Sequence, residues 1–181
     1  MLDFTDYVAD LRALVDEHHL GEGRYARWST RCGGAEPAVN PYGCADAVNI
    51  LYTLGELPSS EAARREHMAA LRDLQDPDSG SFDEPTHRRE HTTAHVVAAL
   101  ELFDARPAHR LHFLEPLLDR DALERYLDAL DWSRPWPASH GGAGVAAALF
   151  LTGRVSHTWL SWYFDWLDAH VDPGTGLWRR A

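Results

Sequence analysis

The stretch HTTAHVVAALELF, residues 91–103, decides the fold, because small and apolar side chains occupy nearly every face of the helix it would form. Two further stretches share this composition: ADAVNILYTLG, residues 45–55, and AGVAAALFLTG, residues 143–153. Their central leucines are spaced by 49 and 49 residues: Leu51, Leu100 and Leu149. A constant spacing of this length is typical of helical repeats, so we expect three equivalent buried helices.

Amphipathic stretches precede, separate and follow the buried ones. Three of them carry apolar side chains at helical spacing among charged ones: residues 60–75, 115–130 and 156–170. A fourth, FTDYVADLRALVDEHH, residues 4–19, leads the chain. No strand pattern of comparable strength is present. The sequence therefore predicts an all-α fold over residues 1–181 as a single domain: an array of about three α-hairpins with buried inner and half-exposed outer helices, plus a leading N-terminal helix.

Turn signals separate these helices. Gly55 and Gly153 end the first and third inner stretches, as expected of residues that easily take the left-handed conformation after a helix. Gly141-Gly142 after Ser139 predicts a turn before the third inner helix. The phrase Asp-Pro-x-Ser/Thr-Gly-x-aromatic occurs twice, at residues 76–82 and 172–178, and we interpret it as a turn that follows an outer helix.

Bulk composition excludes several classes. A length of 181 residues favours one domain with a real core, and the formal net charge of -11 argues against a nucleic-acid partner. No apolar run is long enough to span a membrane, and the acidic N-terminal residues do not resemble a signal peptide, so we expect a cytoplasmic protein. Cys32 and Cys44 cannot form a disulfide framework, and we interpret the Cys32-Gly33-Gly34 segment as a structural loop.

The motif LQDPDSGSF, residues 74–82, followed by the stretch 91–103, resembles a repeat of the α/α-toroid proteins, which include terpenoid (squalene-type) cyclases and protein prenyltransferase β-subunits. The resemblance spans roughly residues 41–178. It implies inner helices that line a central cavity, with chemistry at one mouth. Because this chain has only about three hairpins, the resemblance also implies half of a ring, completed by a second copy (a homo-oligomer) or by a missing second half.

Prenyltransferase β-subunits hold zinc through Asp-Gly-Cys at one inner-helix start and His-Thr at another. The matching motifs here are Tyr42-Gly43-Cys44 and His91-Thr92, with tyrosine at the aspartate position and Asp46 two residues beyond the cysteine. The resemblance thus implies a zinc site built from Cys44, Asp46, His91 and His95. The Asp-x-Asp-Asp motif of protonating terpenoid cyclases is absent, so their activity is not implied.

The 49-residue register also predicts a polar cluster directly. It makes Tyr42, His91 and His140 equivalent, and likewise Asp46 and His95, so all five should meet at one end of the array. A histidine beside a carboxylate can transfer protons near neutral pH. We therefore expect Asp46, His91, His95 and His140 to be catalytic. Residues expected to contact a small organic or carbohydrate ligand are Tyr42, Asn49, Glu90, Trp132 and Trp136, with Trp28 as a further aromatic platform.

Each expectation has an alternative. The histidines are also compatible with a structural role in hydrogen bonding. Cys44 is near a predicted helix start, where a lowered thiol pKa would also suit a nucleophile. Asp46 and Asn49 could pair with a loop or line a wet cavity. Three tryptophans at helical spacing are typical of core packing: Trp159, Trp162 and Trp166.

The sequence is compatible with an enzyme of the cyclase, transferase or glycan-processing type, and with a non-catalytic helical-repeat module whose aromatic-rich face binds a partner or forms an oligomer. Together with Phe164, the three tryptophans predict an apolar surface on the last hairpin that needs covering.

Overall fold

The computed structural model describes residues 5–29 and 37–178. Of these described residues, 59% are helical, which confirms the all-α class. Within these ranges the elements follow in this order: α1 (Thr5–Glu17), β1 (His19–Gly21), β2 (Arg24–Tyr25), α2 (Pro41–Thr53), α3 (Glu61–Arg72), α4 (Arg89–Glu101), a 3₁₀ helix (His112–Leu118), α5 (Arg120–Ala129), α6 (Pro135–Leu151) and α7 (His157–His170). No helix in these ranges combines the length and apolar character needed to cross a membrane. The predicted Cys32-Gly33-Gly34 loop lies outside the described residues.

The three buried helices are α2, α4 and α6, and they pack in chain order, α2 against α4 and α4 against α6. The amphipathic helices flank them: α1 and α3 contact α2, α3 also contacts α4, and α5 contacts α7. Leu51, Leu100 and Leu149 are all buried. The core forms two clusters, one centred on α2 and α4 and the other on α5, α6 and α7. The alternation of inner and outer helices therefore follows the hydrophobic pattern of the sequence.

Helix boundaries differ from the sequence expectation at three places. Helix α1 ends at Glu17, and His19 begins a short antiparallel hairpin, so two stretches that lacked a strand pattern pair as strands. Residues 112–118 form a 3₁₀ helix that contains Pro116. Helix α5 begins beyond this segment, and Asp119 caps it because its side chain accepts a hydrogen bond from the N–H of Ala122. The third inner helix starts at Pro135. The predicted turn at Gly141-Gly142 is therefore wrong, because both glycines lie inside this helix.

The glycines at the other ends of the inner helices adopt the expected conformation. Gly55 has a φ of 72° and Gly153 a φ of 67°, directly after α2 and α6. Both therefore occupy the left-handed region that favours glycine after a helix.

The two Asp-Pro phrases fold into the same turn. The Asp76 carboxylate accepts hydrogen bonds from the N–H groups of Asp78 and Ser79 at 3.2 and 2.7 Å. The Asp172 carboxylate does the same for Gly174 and Thr175 at 2.7 and 3.2 Å. In both turns a glycine in the left-handed region donates its N–H to the aspartate carbonyl at 2.8 Å. Their surroundings differ: Ser81 is 0% exposed, whereas the equivalent Leu177 is 49% exposed.

The tryptophans of the last hairpin are largely covered by their own chain. Trp159 and Trp166 are buried in the core cluster that α7 forms with α5 and α6, and Trp162 packs at its edge. Phe164 is exposed. The predicted need for an external cover is therefore wrong for Trp159 and Trp166, because their own chain already buries them: Trp159 contacts Leu117 and Trp166 contacts Trp132.

Candidate functional site

The starts of α2 and α4 and the middle of α6 lie side by side, because glycines allow close backbone contact. Asn40 caps α2, its side-chain oxygen accepting hydrogen bonds from the N–H groups of Tyr42 and Gly43. A side chain at Gly43 would meet the backbone of Ala26 at 2.8 Å. A side chain at Gly144 would meet the Glu90 carbonyl at 2.7 Å. The absence of these two side chains brings α2 next to the β-hairpin segment and α6 next to the first turn of α4.

This close approach stacks two histidine rings. The rings of His91 on α4 and His140 on α6 are parallel within 8°, with centroids 4.1 Å apart. His140 lies one helical turn before Gly144, so the glycine sets the separation of the helices at the stack. Within the described residues, the His140 ring has no hydrogen-bond partner. Its other ring contacts are the indole of Trp136, edge-on at 5.1 Å between centroids, and the ring of His87 at 5.9 Å.

Tyr42 joins α2 to the stack. A hydrogen bond of 3.1 Å connects its hydroxyl to Nε2 of His91. Its ring also lies against His95, with centroids 4.5 Å apart. Tyr42 and His91 are 49 residues apart, so residues that the repeat makes equivalent are in contact on neighbouring helices.

The second equivalent pair is a carboxylate and an imidazole. Nε2 of His95 lies 2.8 Å from Oδ1 of Asp46. The Asp46 side chain is 48% exposed and that of His95 is 22% exposed, so the pair is open to a ligand from the Asp46 side. Such a contact orients the imidazole ring of His95.

A third polar group, which sequence reasoning missed, completes the cluster. Glu84 lies in the loop before α4 with its side chain 1% exposed, and it contacts Nδ1 of His87 at 2.6 Å and the guanidinium of Arg27 at 3.1 Å. His87 stacks on Tyr42 with centroids 4.1 Å apart. We name the set of His87, His91, His95, His140 and Tyr42 the histidine cluster. The one sequence signal for His87 was its position three residues after a glutamate.

Burial and mutual repulsion favour the uncharged forms of His91 and His140. Burial lowers the pKa of His91 to about 4, assisted by the neighbouring rings of His140, His87 and His95. Burial likewise lowers the pKa of His140. Burial and the charge of Asp46 raise the pKa of Tyr42. At neutral pH, Tyr42 and His91 are therefore a neutral hydrogen-bonded pair.

At Glu84, hydrogen bonds and a neighbouring positive charge outweigh the effect of burial on the pKa. Burial alone would raise its pKa, but hydrogen bonds from Thr86 and His87, together with the charge of Arg27, hold the pKa below its ordinary value. The buried carboxylate is therefore ionised, and it compensates the positive charge of Arg27.

Several predicted residues lie apart from the cluster. Cys44 is 1% exposed, and its sulfur accepts the N–H of Tyr25 at 3.3 Å. Burial raises the pKa of the Cys44 thiol, which argues against the predicted nucleophile. Asn49 donates to the carbonyl of Ala45 within its own helix at 2.8 Å.

Glu90 points toward α5, where it accepts a hydrogen bond of 2.9 Å from the Tyr126 hydroxyl. Burial is the main cause of the strongly raised pKa of Tyr126, and the negative charge of Glu90 raises it further. Trp132 is buried and donates its indole N–H to the Leu127 carbonyl. Trp136 is 75% exposed and, with Trp178, lines an apolar groove of about 310 Å³.

The residues of the predicted zinc site fit a metal ion poorly. Cys44 contacts Tyr25, whereas Asp46 contacts His95 and His91 contacts Tyr42. Within residues 5–29 and 37–178, no three His, Cys, Asp or Glu side chains are arranged to hold a metal ion. The zinc set that the family resemblance implies does not assemble in this arrangement.

Comparison with protein-family models, with curated proteins and with solved structures finds no significant match to this chain. The site is therefore interpreted from its own geometry.

Proposed function

We propose that this chain is an enzyme that binds a small organic or carbohydrate ligand at the histidine cluster and acts by acid–base chemistry. The observation that carries the proposal is the 2.8 Å contact between His95 and Asp46, beside the neutral Tyr42–His91 pair. Asp46 engages one ring nitrogen of His95, so the other nitrogen is the proton acceptor. The Tyr42 hydroxyl is the nearby proton donor, because its raised pKa keeps it protonated at neutral pH.

We further propose that the hairpins form half of an α/α toroid, completed by a second copy or a second half. Support comes from the consecutive packing of α2, α4 and α6 between flanking outer helices. Exposed aromatic side chains on the inner helices, Tyr52 and Phe150, also favour a further covering surface. Sedimentation of the purified chain tests this part, and a stable monomer at all concentrations contradicts completion by a second copy.

Zinc-assisted chemistry is the weaker variant of the proposal. His91 and His95 are one helical turn apart, but Cys44 is in the core and Tyr42 occupies Nε2 of His91. When bound, zinc would lower the pKa of a water molecule. No proton transfer in the proposed chemistry requires it.

The test combines ligand mapping with turnover. Side-chain ¹⁵N spectra of the histidines, recorded while a library of small organic compounds and sugars is added, should show shifts confined to the histidine cluster. Chromogenic esters and glycosides then serve as substrates, and Asp46→Asn should lower turnover about 100-fold, in line with the loss of acid–base catalysis. Asp168→Asn, at an exposed position on α7, is the matched control and should retain turnover. A library in which no compound shifts a cluster signal contradicts the proposal.

The second candidate is a non-catalytic helical-repeat module. Its supporting observation is that most polar atoms of the site already have partners within the chain: Tyr42 with His91, His95 with Asp46, and His87 with Glu84. Ligand-induced shifts without turnover of any substrate, together with formation of an oligomer, would favour this candidate.

A further inference from the structure

A recess of about 240 Å³ lies between α1 and α2 and reaches Asp46. Its walls are apolar: Leu11, Leu14 and Val15 from α1, and Ala47 and Ile50 from α2. Leu14 and Ile50 are partly exposed, so the recess is open to solvent on one side. A concave, mainly apolar site with few polar groups is the usual form of a small-molecule site.

Three polar side chains contribute to the recess, and two of them are already compensated. Arg27 forms an ion pair with the buried Glu84 and lies over the Tyr42 ring, 4.7 Å from its centroid. His18 uses Nδ1 for the Ala26 carbonyl at 2.9 Å. Both groups therefore already have a polar partner within the chain.

Asp46 differs from them. Its Oδ1 contacts His95, and within the described residues its Oδ2 has no hydrogen-bond partner and no lysine or arginine forms an ion pair with it. The carboxylate thus presents one free acceptor at the end of an apolar wall. The chain as a whole carries a formal net charge of -11, which attracts cations and repels anions over longer distances.

We propose that this recess binds a small apolar amine in its ammonium form, with the hydrocarbon body against Leu11, Leu14 and Ile50 and the ammonium group donating to Oδ2 of Asp46. This inference rests on the proposed function and specifies its ligand class. A sugar fits less well, because apolar walls cannot satisfy its hydroxyl groups. A carboxylic acid fits least, because its charge would face that of Asp46.

Three probes with one body and different head groups test the ligand class: cyclohexylmethylamine, cyclohexylmethanol and cyclohexanecarboxylate. Isothermal titration at pH 7 and low salt should give an affinity for the amine at least about tenfold above that for the alcohol, as expected of one charge-assisted contact. The carboxylate should bind more weakly than both. Raising the salt concentration should reduce the preference for the amine, because Asp46 is partly exposed.

Two variants locate the binding. Asp46→Asn should remove the preference for the amine, while Asp168→Asn should retain it. Ile50→Gln should weaken the amine and the alcohol together, because it changes the wall and not the carboxylate. A preference for the amine that survives Asp46→Asn overturns the inference, as does equal binding of amine and alcohol.

The two proposals fail in different ways. Sugars that shift the cluster signals and are turned over, with no binding of cyclohexylmethylamine, overturn the amine class and leave the acid–base enzyme in place. Binding of the amine at Asp46 without turnover of any substrate contradicts the enzyme and leaves the recess as an amine site. The absence of any probe binding up to its solubility limit overturns the recess as a ligand site.

Discussion

The imidazole rings of His91 and His140 lie face to face at 4.1 Å between centroids, on helices that the glycine at position 144 allows to touch. Two protonated imidazoles could not share this arrangement without strong repulsion. The stack is therefore a property of the neutral forms, and its stability depends on pH.

The first prediction concerns that pH dependence. The pKa of His91 is lowered to about 4 from its ordinary value of 6.5, so between these values the unfolded chain binds more protons than the folded chain. The contribution of His91 to stability is therefore complete above about pH 6.5 and is lost as the pH falls toward 4. Urea unfolding midpoints should fall between pH 7 and pH 5, and the fall should be smaller in His91→Gln.

His157 provides the control for this measurement, because it lies exposed at the start of α7. His157→Gln should keep the full pH dependence. If His91→Gln and His157→Gln lose stability in parallel as the pH falls, the titration of His91 is not the cause.

A second prediction compares two glycines of α6. Gly144→Ala places a methyl group 2.7 Å from the Glu90 carbonyl, so α4 and α6 must separate, and we expect a loss of about 1–3 kcal/mol in the free energy of unfolding. At Gly142 the nearest atom is a Leu127 side-chain carbon at 3.4 Å. Gly142→Ala should be neutral or stabilising, by up to about 1 kcal/mol, because alanine favours the helix. Chemical denaturation of both variants measures the change in the free energy of unfolding. Equal changes for the two variants would contradict the close approach of α4 and α6 at Gly144.

The third prediction tests the hydrogen bond between Tyr126 and Glu90. Tyr126→Phe removes the donor at 2.9 Å and leaves a partly buried carboxylate with one partner fewer, so we expect a cost of about 1–3 kcal/mol. Tyr163 is more deeply buried than Tyr126, and its hydroxyl has no hydrogen-bond partner among the described residues. Tyr163→Phe should therefore change stability by less than about 0.5 kcal/mol. A larger loss for Tyr163 than for Tyr126 would refute this assignment.

A fourth prediction concerns the buried charge of Glu84. Arg27→Met leaves this carboxylate without its cation, and breaking such a buried pair costs about 3–5 kcal/mol. Arg12 pairs with Glu56 on the surface, so Arg12→Met should cost no more than about 1 kcal/mol. Thermal unfolding at pH 7 compares the two. Equal melting temperatures would mean that water compensates Glu84 in place of Arg27.

The sequence predicted the fold class and the contacts between repeats better than it predicted individual side chains. The 49-residue register places Tyr42 beside His91 and Asp46 beside His95, because equivalent positions on adjacent helices face each other. The Gly141-Gly142 pair was misinterpreted as a turn. Local preference favours a turn there, but the tertiary contact requires small residues inside the helix, and that contact is not visible in one segment alone.

Cys44 and His87 show why the remaining part of the site could not be predicted. Cys44 is only two residues from Tyr42, yet the helix turns its sulfur toward the buried backbone of Tyr25. His87 lies in a loop, where no periodicity indicates direction, and it reaches the cluster through its contact with Glu84. Side-chain direction at a helix start and loop conformation both depend on packing between distant segments.

The turns at Asp76 and Asp172 share internal hydrogen bonds, although the end of the first turn, at Gly80 and Ser81, is buried and the end of the second, at Gly176 and Leu177, is exposed. The turn therefore does not depend on its cover. A chain built from such self-contained turns can be lengthened or shortened by a whole hairpin without redesign of the junction. Each added 49-residue unit would then bury its apolar helix faces only against its neighbours in the array.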